Sequence, residues 1–222
     1  MEIIIFVLLP KMNYNYIVVE GCIGAGKSTL AEAIAQDFNA QLILERFEDN
    51  CFLPKFYADP KHYAFPLEMS FLTDRYQQLK EILSQRDLFK NLVVADYFVD
   101  KCIIFSKNNL SEDEFMLYRK VFDIVIEALP RPELIIYLYN DVQKLQRQIK
   151  QRGRDYEQAI ADEYLDEIQK SYLNYFKFVE DIPILIVDVN HLDFVQNKAD
   201  YLKIKELLGQ KYSPQIHIIN PV

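Results

Sequence analysis

The residues best equipped for chemistry lie in one unbroken stretch, "GCIGAGKST": Gly21, Cys22, Ile23, Gly24, Ala25, Gly26, Lys27, Ser28 and Thr29. The stretch matches G-x-x-x-x-G-K-[ST] without a gap. The apolar run "YIVVEG" precedes it, and Leu30, Ala31, Ile34 and Phe38 follow at helical spacing, so it reads as a turn from strand into helix. Gly24 and Gly26 let the backbone curl until its N–H groups face phosphate oxygens. Lys27 can reach the outer phosphates, Ser28 can ligate Mg2+, and the helix amino terminus favours negative charge. The expected ligand is a nucleoside triphosphate. A chance match in an ordinary glycine turn is the competing reading, and the flanking strand and helix argue against it.

Phosphoryl transfer also needs a base and positive charge over the moving group. Glu45 closes "LILERF", where a carboxylate at a strand end faces the crevice and could take a hydroxyl proton; otherwise it is a solvated loop acid. Asp96 closes "VVADY" and suits a second Mg2+ contact, or a helix cap, or both. The loop "KQRGRDYEQ" carries Arg152 and Arg154 on either side of a glycine, as a mobile lid would, although basic residues at a helix end are also ordinary. In "FPLEMSFLTDR", Glu68 and Arg75 share an apolar helix side with Phe71 and Leu72. A pair of opposite charges tying two helices together is the bland explanation for them.

Five short apolar runs must position these groups: Tyr16–Gly21, Leu42–Leu44, Asn91–Asp96, Glu133–Leu138 and Ile184–Asp188. Helical patterns separate them, over Lys27–Phe38, Leu67–Arg86, Tyr97–Phe105, Glu112–Ala128, Asp141 to about Gln151, Ile160–Phe178 and a last helix to about Leu208. Pro54–Pro66 reads as turns with a short helical piece. Uniformly apolar strands alternating with helices predict an α/β fold with a five-stranded parallel sheet flanked by helices. Ligands of such sheets sit beyond the carboxyl ends of the strands, the ends that carry the loop, Glu45 and Asp96.

The 222 residues fit one domain, and a hydrophobic content of 50% supplies its core. A net charge of −8 argues against a nucleic-acid polymer as partner. Cys22, Cys51 and Cys102 lack metal-ligand spacing and read as reduced thiols of a cytoplasmic protein. The apolar run Ile3–Leu9 is too short to span a bilayer, and no longer one follows, so no membrane partner is expected. Residues 1–12 read as an extra segment without function, which translation starting at Met12 would explain.

From Tyr16 to Phe194 the chain resembles the deoxynucleoside kinase family, on "EGCIGAGKSTL", Glu45, "FYADPKHYAFPLEMSFLTDRYQQL", "ADYFVDKCIIFS", "IIYL" and "QRGRDYEQAI". "LEM" with Arg75, and "DYF" with Lys101, look like the family's bacterial deoxyguanosine kinases. The resemblance implies a phosphate-loop nucleoside kinase fold with an arginine-rich lid, ATP and Mg2+ as cofactors, a deoxynucleoside as substrate, and a homodimer formed through helices, with Leu67–Arg86 and Glu112–Ala128 as the candidates. It implies that Glu45 lies beside the 5′-hydroxyl, Tyr57 and Glu157 at the 3′-hydroxyl, Arg75 near base and acid, and Arg152 and Arg154 in the lid. Asp96 matches the family's proton acceptor, and Asp193 and Phe194 lie where the family closes a loop over adenine.

Two departures stand out. The family's "Glu/Asp-Arg-Ser" arginine is Tyr97 here, with Lys101 the candidate to supply the missing cation. Glu68 stands where many relatives carry a base-pairing glutamine. An amide offers one donor and one acceptor and suits adenine or cytosine. A carboxylate offers acceptors only, which guanine meets with N1–H and N2–H2. The expected reaction is therefore phosphorylation of deoxyguanosine, with Arg75 donating to the base and offsetting the charge of Glu68. A deoxyadenosine or deoxycytidine kinase and a non-catalytic nucleotide-binding regulator are the alternatives.

Overall fold

Strand β1 (Tyr16–Gly21) is buried along its whole length and runs through the middle of the sheet. The computed structural model describes residues 12–47, 50–84 and 90–221. Within them β2 (Gln41–Ile43), β3 (Val93–Ala95), β4 (Leu134–Tyr139), β5 (Ile184–Asp188) and β6 (Ile216–Ile219) join β1 in the order β2-β3-β1-β4-β5-β6. Every neighbouring pair is parallel. Ile17, Val18 and Val19 are fully shielded, and each stabilises the fold by about 1.5–3 kcal/mol on leaving water.

The helices are α1 (Lys27–Asp37), α2 (Leu53–Ala58), α3 (Pro60–Ser84), α4 (Lys101–Asn109), α5 (Glu112–Ile126), α6 (Val142–Arg152), α7 (Asp162–Phe176) and α8 (Lys198–Leu207). A 3-10 turn, Asp155–Glu157, follows α6. The expected N-terminal segment 1–12, apart from Met12, lies outside the described residues, as does the end of the helix expected to reach Arg86.

Three elements differ from the sequence expectation. The sheet has a sixth strand, because "IHII" pairs with β5 on an outer edge. That strand is short and only partly buried (Ile218 is 75% exposed), and His217 interrupts its apolar run. Helix α3 begins at Pro60 and passes through Pro66. Pro60 fits a helix start, where no N–H partner is needed, and Pro66 forgoes one hydrogen bond near that start. Residues Tyr97–Asp100 form a turn ahead of α4 instead of its first coil. The Phe98 N–H is drawn away to a buried carboxylate, Glu20 Oε1, at 2.7 Å.

Strand order changes direction at β1, with β3 on one side and β4 on the other. The segments after β1, β2 and β3 therefore open on one sheet edge, the usual seat of a ligand in such folds.

Candidate active site

The glycine loop is shaped by what packs beneath and above it. Gly24 and Gly26 have φ of +83° and +86°, backbone that side chains rarely adopt. A Cβ on Gly24 would meet Leu145 O at 3.0 Å and Ile149 Cγ1 at 2.9 Å, so α6 packs directly against the loop. One on Gly26 would meet Phe194 Cζ at 2.9 Å. Lys27 Nζ donates to Cys22 O at 3.0 Å. Gly21 and Cys22 lie buried under the loop and do not border the cavity above it.

Asp96 ties the loop to the two strands beside it. Its Oδ2 accepts from the Ser28 hydroxyl, and its Oδ1 accepts from the Glu45 N–H at 2.7 Å. Burial, then the nearby Glu45 charge, raises the Asp96 pKa against these two bonds. A hydroxyl and a carboxylate are hard oxygen donors of the kind Mg2+ takes alongside substrate phosphates. No described group of three or more His, Cys, Asp or Glu residues could hold a metal, so Mg2+ fits here only with phosphate and water completing its shell.

Glu45 is clamped between two buried cations. Lys101 Nζ donates to Oε2 at 2.8 Å, and Arg75 donates to Oε1 from Nε at 2.9 Å and also from Nη2. Burial pushes the Glu45 pKa up, but Lys101 and Arg75 outweigh it and hold the group well below the usual carboxylate range. The remaining Arg75 nitrogen, Nη1, donates to Cys102 Sγ at 2.9 Å, and the guanidinium lies 4.6 Å from the Phe71 ring centre. Arg75 therefore does not pair with Glu68, the bland explanation of the two charges; its guanidinium lies against Glu45 instead. Seven residues of helix separate the two by about 10 Å along the axis, whereas the end of β2 brings Glu45 within reach. Tyr97, in place of the family arginine, is buried and donates to Gln78 Oε1 at 3.0 Å. Gln78 in turn donates to Leu44 O at 2.8 Å, steadying the approach to Glu45.

Glu68 is 2% exposed. Its Oε1 accepts from Asn109 Nδ2 at 2.6 Å, and its Oε2 is buried with no hydrogen-bond partner among the described residues. Burial pushes its pKa up to about 7, against the Asn109 hydrogen bond and the charges of Arg75 and Lys101.

The lid residues close the far side. Gly153, in left-handed conformation, ends α6 and turns the chain. Glu157, 5% exposed, accepts from Arg152 and, at 3.3 Å, from Arg154 Nη1. The Arg154 guanidinium sits 3.9 Å from the Phe47 ring centre. Tyr57 stacks on Tyr156 with centroids 5.9 Å apart.

Lys27, Ser28, Glu45, Tyr57, Glu68, Arg75, Asp96, Lys101, Arg152, Arg154 and Glu157 border one cavity. Asp193 borders the adjoining groove over Gly24–Thr29. There its carboxylate accepts from the N–H groups of Val195 and Gln196, while Phe194 covers Gly26.

Several participants escaped the sequence reading. Glu20, the one charge in β1, is fully buried and accepts from Phe98 N, Gly21 N at 3.0 Å and Tyr172 Oη at 2.9 Å. Lys144 gathers the carbonyls of Val189, Asn190 and Leu192 beneath the groove. Phe47, Asn109 and Tyr164 line the cavity. A charge inside an apolar strand was the available signal for Glu20; the others carry none outside the fold.

A family model described as deoxynucleoside kinase matches residues 17–212. The chain is 38% identical over 202 residues to a deoxyguanosine kinase of Bacillus subtilis (strain 168), covering 87% of this chain and 97% of that protein. It is 34% identical over 211 residues to a deoxyadenosine kinase of Dictyostelium discoideum, covering 93% and 85%. Among solved structures it is similar to the deoxyadenosine kinase from M. mycoides with bound dATP. That match has a TM-score of 0.75 and 28% identity and covers 88% of this chain and 100% of the other.

Proposed function

The chain belongs to the deoxynucleoside kinase family, and on that premise we propose that it phosphorylates the 5′-hydroxyl of deoxyguanosine with ATP. One observation carries the choice of base. Glu68 Oε2 is buried in the cavity without a partner among the described residues, beside an Oε1 that keeps a second lone pair. Guanine alone among the common bases brings two adjacent donors, N1–H and N2–H2, to such an edge. Adenine or cytosine would set a lone pair against it, and a buried mismatch of this kind costs several powers of ten in selectivity.

In this reading the deoxyribose lies between Tyr57 and Glu157, with its 5′-hydroxyl at Glu45. Arg75 and Lys101 keep Glu45 ionised and fix its direction. The 5′-oxygen bonds to the γ-phosphorus as the bond from that phosphorus to the β,γ-bridging oxygen breaks. The hydroxyl proton passes to Glu45 or Asp96 late in the step, when the oxygen has become acidic, so a strongly basic carboxylate is not required. Lys27, Arg152 and Arg154 stabilise the charge on the transferred group, the arginines turning from Glu157 toward phosphate. Mg2+, held by Ser28 and Asp96, would supply further neutralisation of the β- and γ-oxygens.

Deoxyadenosine is the second reading. It is favoured by the near-neutral pKa of Glu68, because a protonated carboxyl offers a donor and an acceptor as an amide does. The experiment is phosphorylation of the four deoxynucleosides and guanosine with Mg·ATP, beside Glu68→Gln. Deoxyguanosine should dominate, and the variant should move toward deoxyadenosine or deoxycytidine. A wild type that prefers adenine or cytosine would remove the base assignment.

Two attributes complete the reading. We place the protein in the cytoplasm, where the unpaired Cys22, Cys51 and Cys102 would stay reduced; no described helix is long and apolar enough to cross a membrane. We also take it to be a homodimer through α5, which leaves Met116, Leu117 and Ile124 exposed.

A further inference from the structure

We propose that Asn109 is a positioning residue that decides which base Glu68 reads, by donating to Oε1 and so keeping Glu68 a two-acceptor carboxylate. The inference rests on the reading of Glu68 as the base-facing group. Asn109 closes α4, the helix packed against α3, and borders the same cavity as Glu68. Its Nδ2 donates to Glu68 Oε1 at 2.6 Å, and its Oδ1 accepts from Tyr164 Oη of α7 at 3.2 Å. The opposite amide orientation would set Oδ1 against Oε1, two acceptors face to face, unless Glu68 carried a proton. With Glu68 ionised, the relay from Tyr164 through Asn109 to Glu68 runs in one direction and ends at Oε2, which no donor among the described residues reaches.

The other groups facing Glu68 make this bond decisive. Arg75 from α3 and Lys101 from α4 favour its anion, while Glu45, after β2, opposes it. Cys102 of α4 and Tyr118 of α5 adjoin it, and the Tyr118 hydroxyl is given to the Glu68 carbonyl at 3.4 Å. Arg75 and Lys101 are already committed to Glu45, so the direct donor to the Glu68 carboxylate is Asn109. Burial opposes that bond and pushes the Glu68 pKa up to about 7. Without Asn109 the neutral acid prevails. Oε2–H would then donate to adenine N1 or cytosine N3, while Oε1 accepts from the exocyclic amine.

The test is kcat/KM for deoxyguanosine and deoxyadenosine across the neutral pH range, for wild type, Asn109→Leu, Tyr164→Phe and Glu68→Gln, with circular dichroism of each. The wild-type guanine-to-adenine ratio should climb with pH. In Asn109→Leu the midpoint of that climb should move up by roughly one pH unit, and the ratio at neutral pH should fall by up to about tenfold, as expected for a lost hydrogen bond to a charged group. Tyr164→Phe should shift the midpoint the same way by less, and it carries the test if Asn109→Leu does not fold. Glu68→Gln should give a ratio independent of pH.

Equal slowing of both substrates with an unmoved midpoint, in a folded Asn109→Leu or in Tyr164→Phe, would make Asn109 merely structural and overturn the proposal. If Glu68→Gln leaves selectivity untouched, Glu68 does not read the base, and both readings fall. A wild type that phosphorylates no deoxynucleoside would instead remove the activity assigned above.

Discussion

At the residue scale the site is a contest between burial and charge. Glu45 and Glu68 are both carboxyls in one cavity, yet their pKa values move in opposite directions, because both cations lean on Glu45. Replacing Lys101 by Met leaves Arg75 to hold Glu45 alone. We expect a folded protein whose kcat with deoxyguanosine drops on the order of tenfold to a hundredfold, checked by steady-state kinetics and circular dichroism. Glu68 makes a separate prediction for stability. Its folded pKa, about 7, lies above the ordinary 4.5. Such a group stabilises the fold fully below the unfolded value, and that contribution is lost as pH rises through the folded one. Between those limits the unliganded wild type should lose about 3 kcal/mol relative to Glu68→Gln, read from urea unfolding at about pH 5 and about pH 8. A flat difference would mean that Glu68 stays ionised throughout.

At the element scale the phosphate loop depends on contacts from helices far away in sequence. An alanine at Gly24 faces left-handed backbone together with the Leu145 carbonyl of α6, which cannot step aside. An alanine at Gly153 faces the same backbone demand with no atom of the described residues within 4 Å. Gly24→Ala should therefore cost about 2 kcal/mol or more, and Gly153→Ala about 1 kcal/mol, measured as two unfolding curves under one condition. Helix α5 is held at its start by Glu114, which accepts from Ser111 N at 3.0 Å and Ser111 Oγ at 2.7 Å. Glu114→Ala should lower stability by about 1 kcal/mol without touching catalysis. Much at this scale was legible beforehand. Apolar β-branched runs announce strands because a parallel sheet buries both their faces. Pro66 misled because a proline within the first two turns of a helix forfeits a single bond, which packing of the rest of α3 offsets.

At the scale of the whole molecule, the exposed Met116, Leu117 and Ile124 on α5 bear on assembly. If α5 is the dimer surface, Ile124→Glu with Leu117→Glu should shift the protein from dimer to monomer in sedimentation velocity. An unchanged dimer would place the interface elsewhere. The glycine loop, the strands that carry Glu45 and Asp96, and the parallel sheet came from the sequence, because each is a short-range pattern: a contiguous motif, a run, a helical period. That Glu68 differs from the family's glutamine was equally visible, being a matter of residue type. Partner choice was not. Helical spacing placed Arg75 on the face of Glu68 and the resemblance put it near the acid; the approach of β2 to α3 is what gives it to Glu45. Asn109 and Tyr164 reach Glu68 from α4 and α7, at separations of 41 residues from Glu68 and 55 between themselves. Local periodicity sets which elements form and which way each side chain faces. Which of several suitable partners a buried charge receives is settled by tertiary packing, since hydrogen bonds act only across the few ångströms that packing closes.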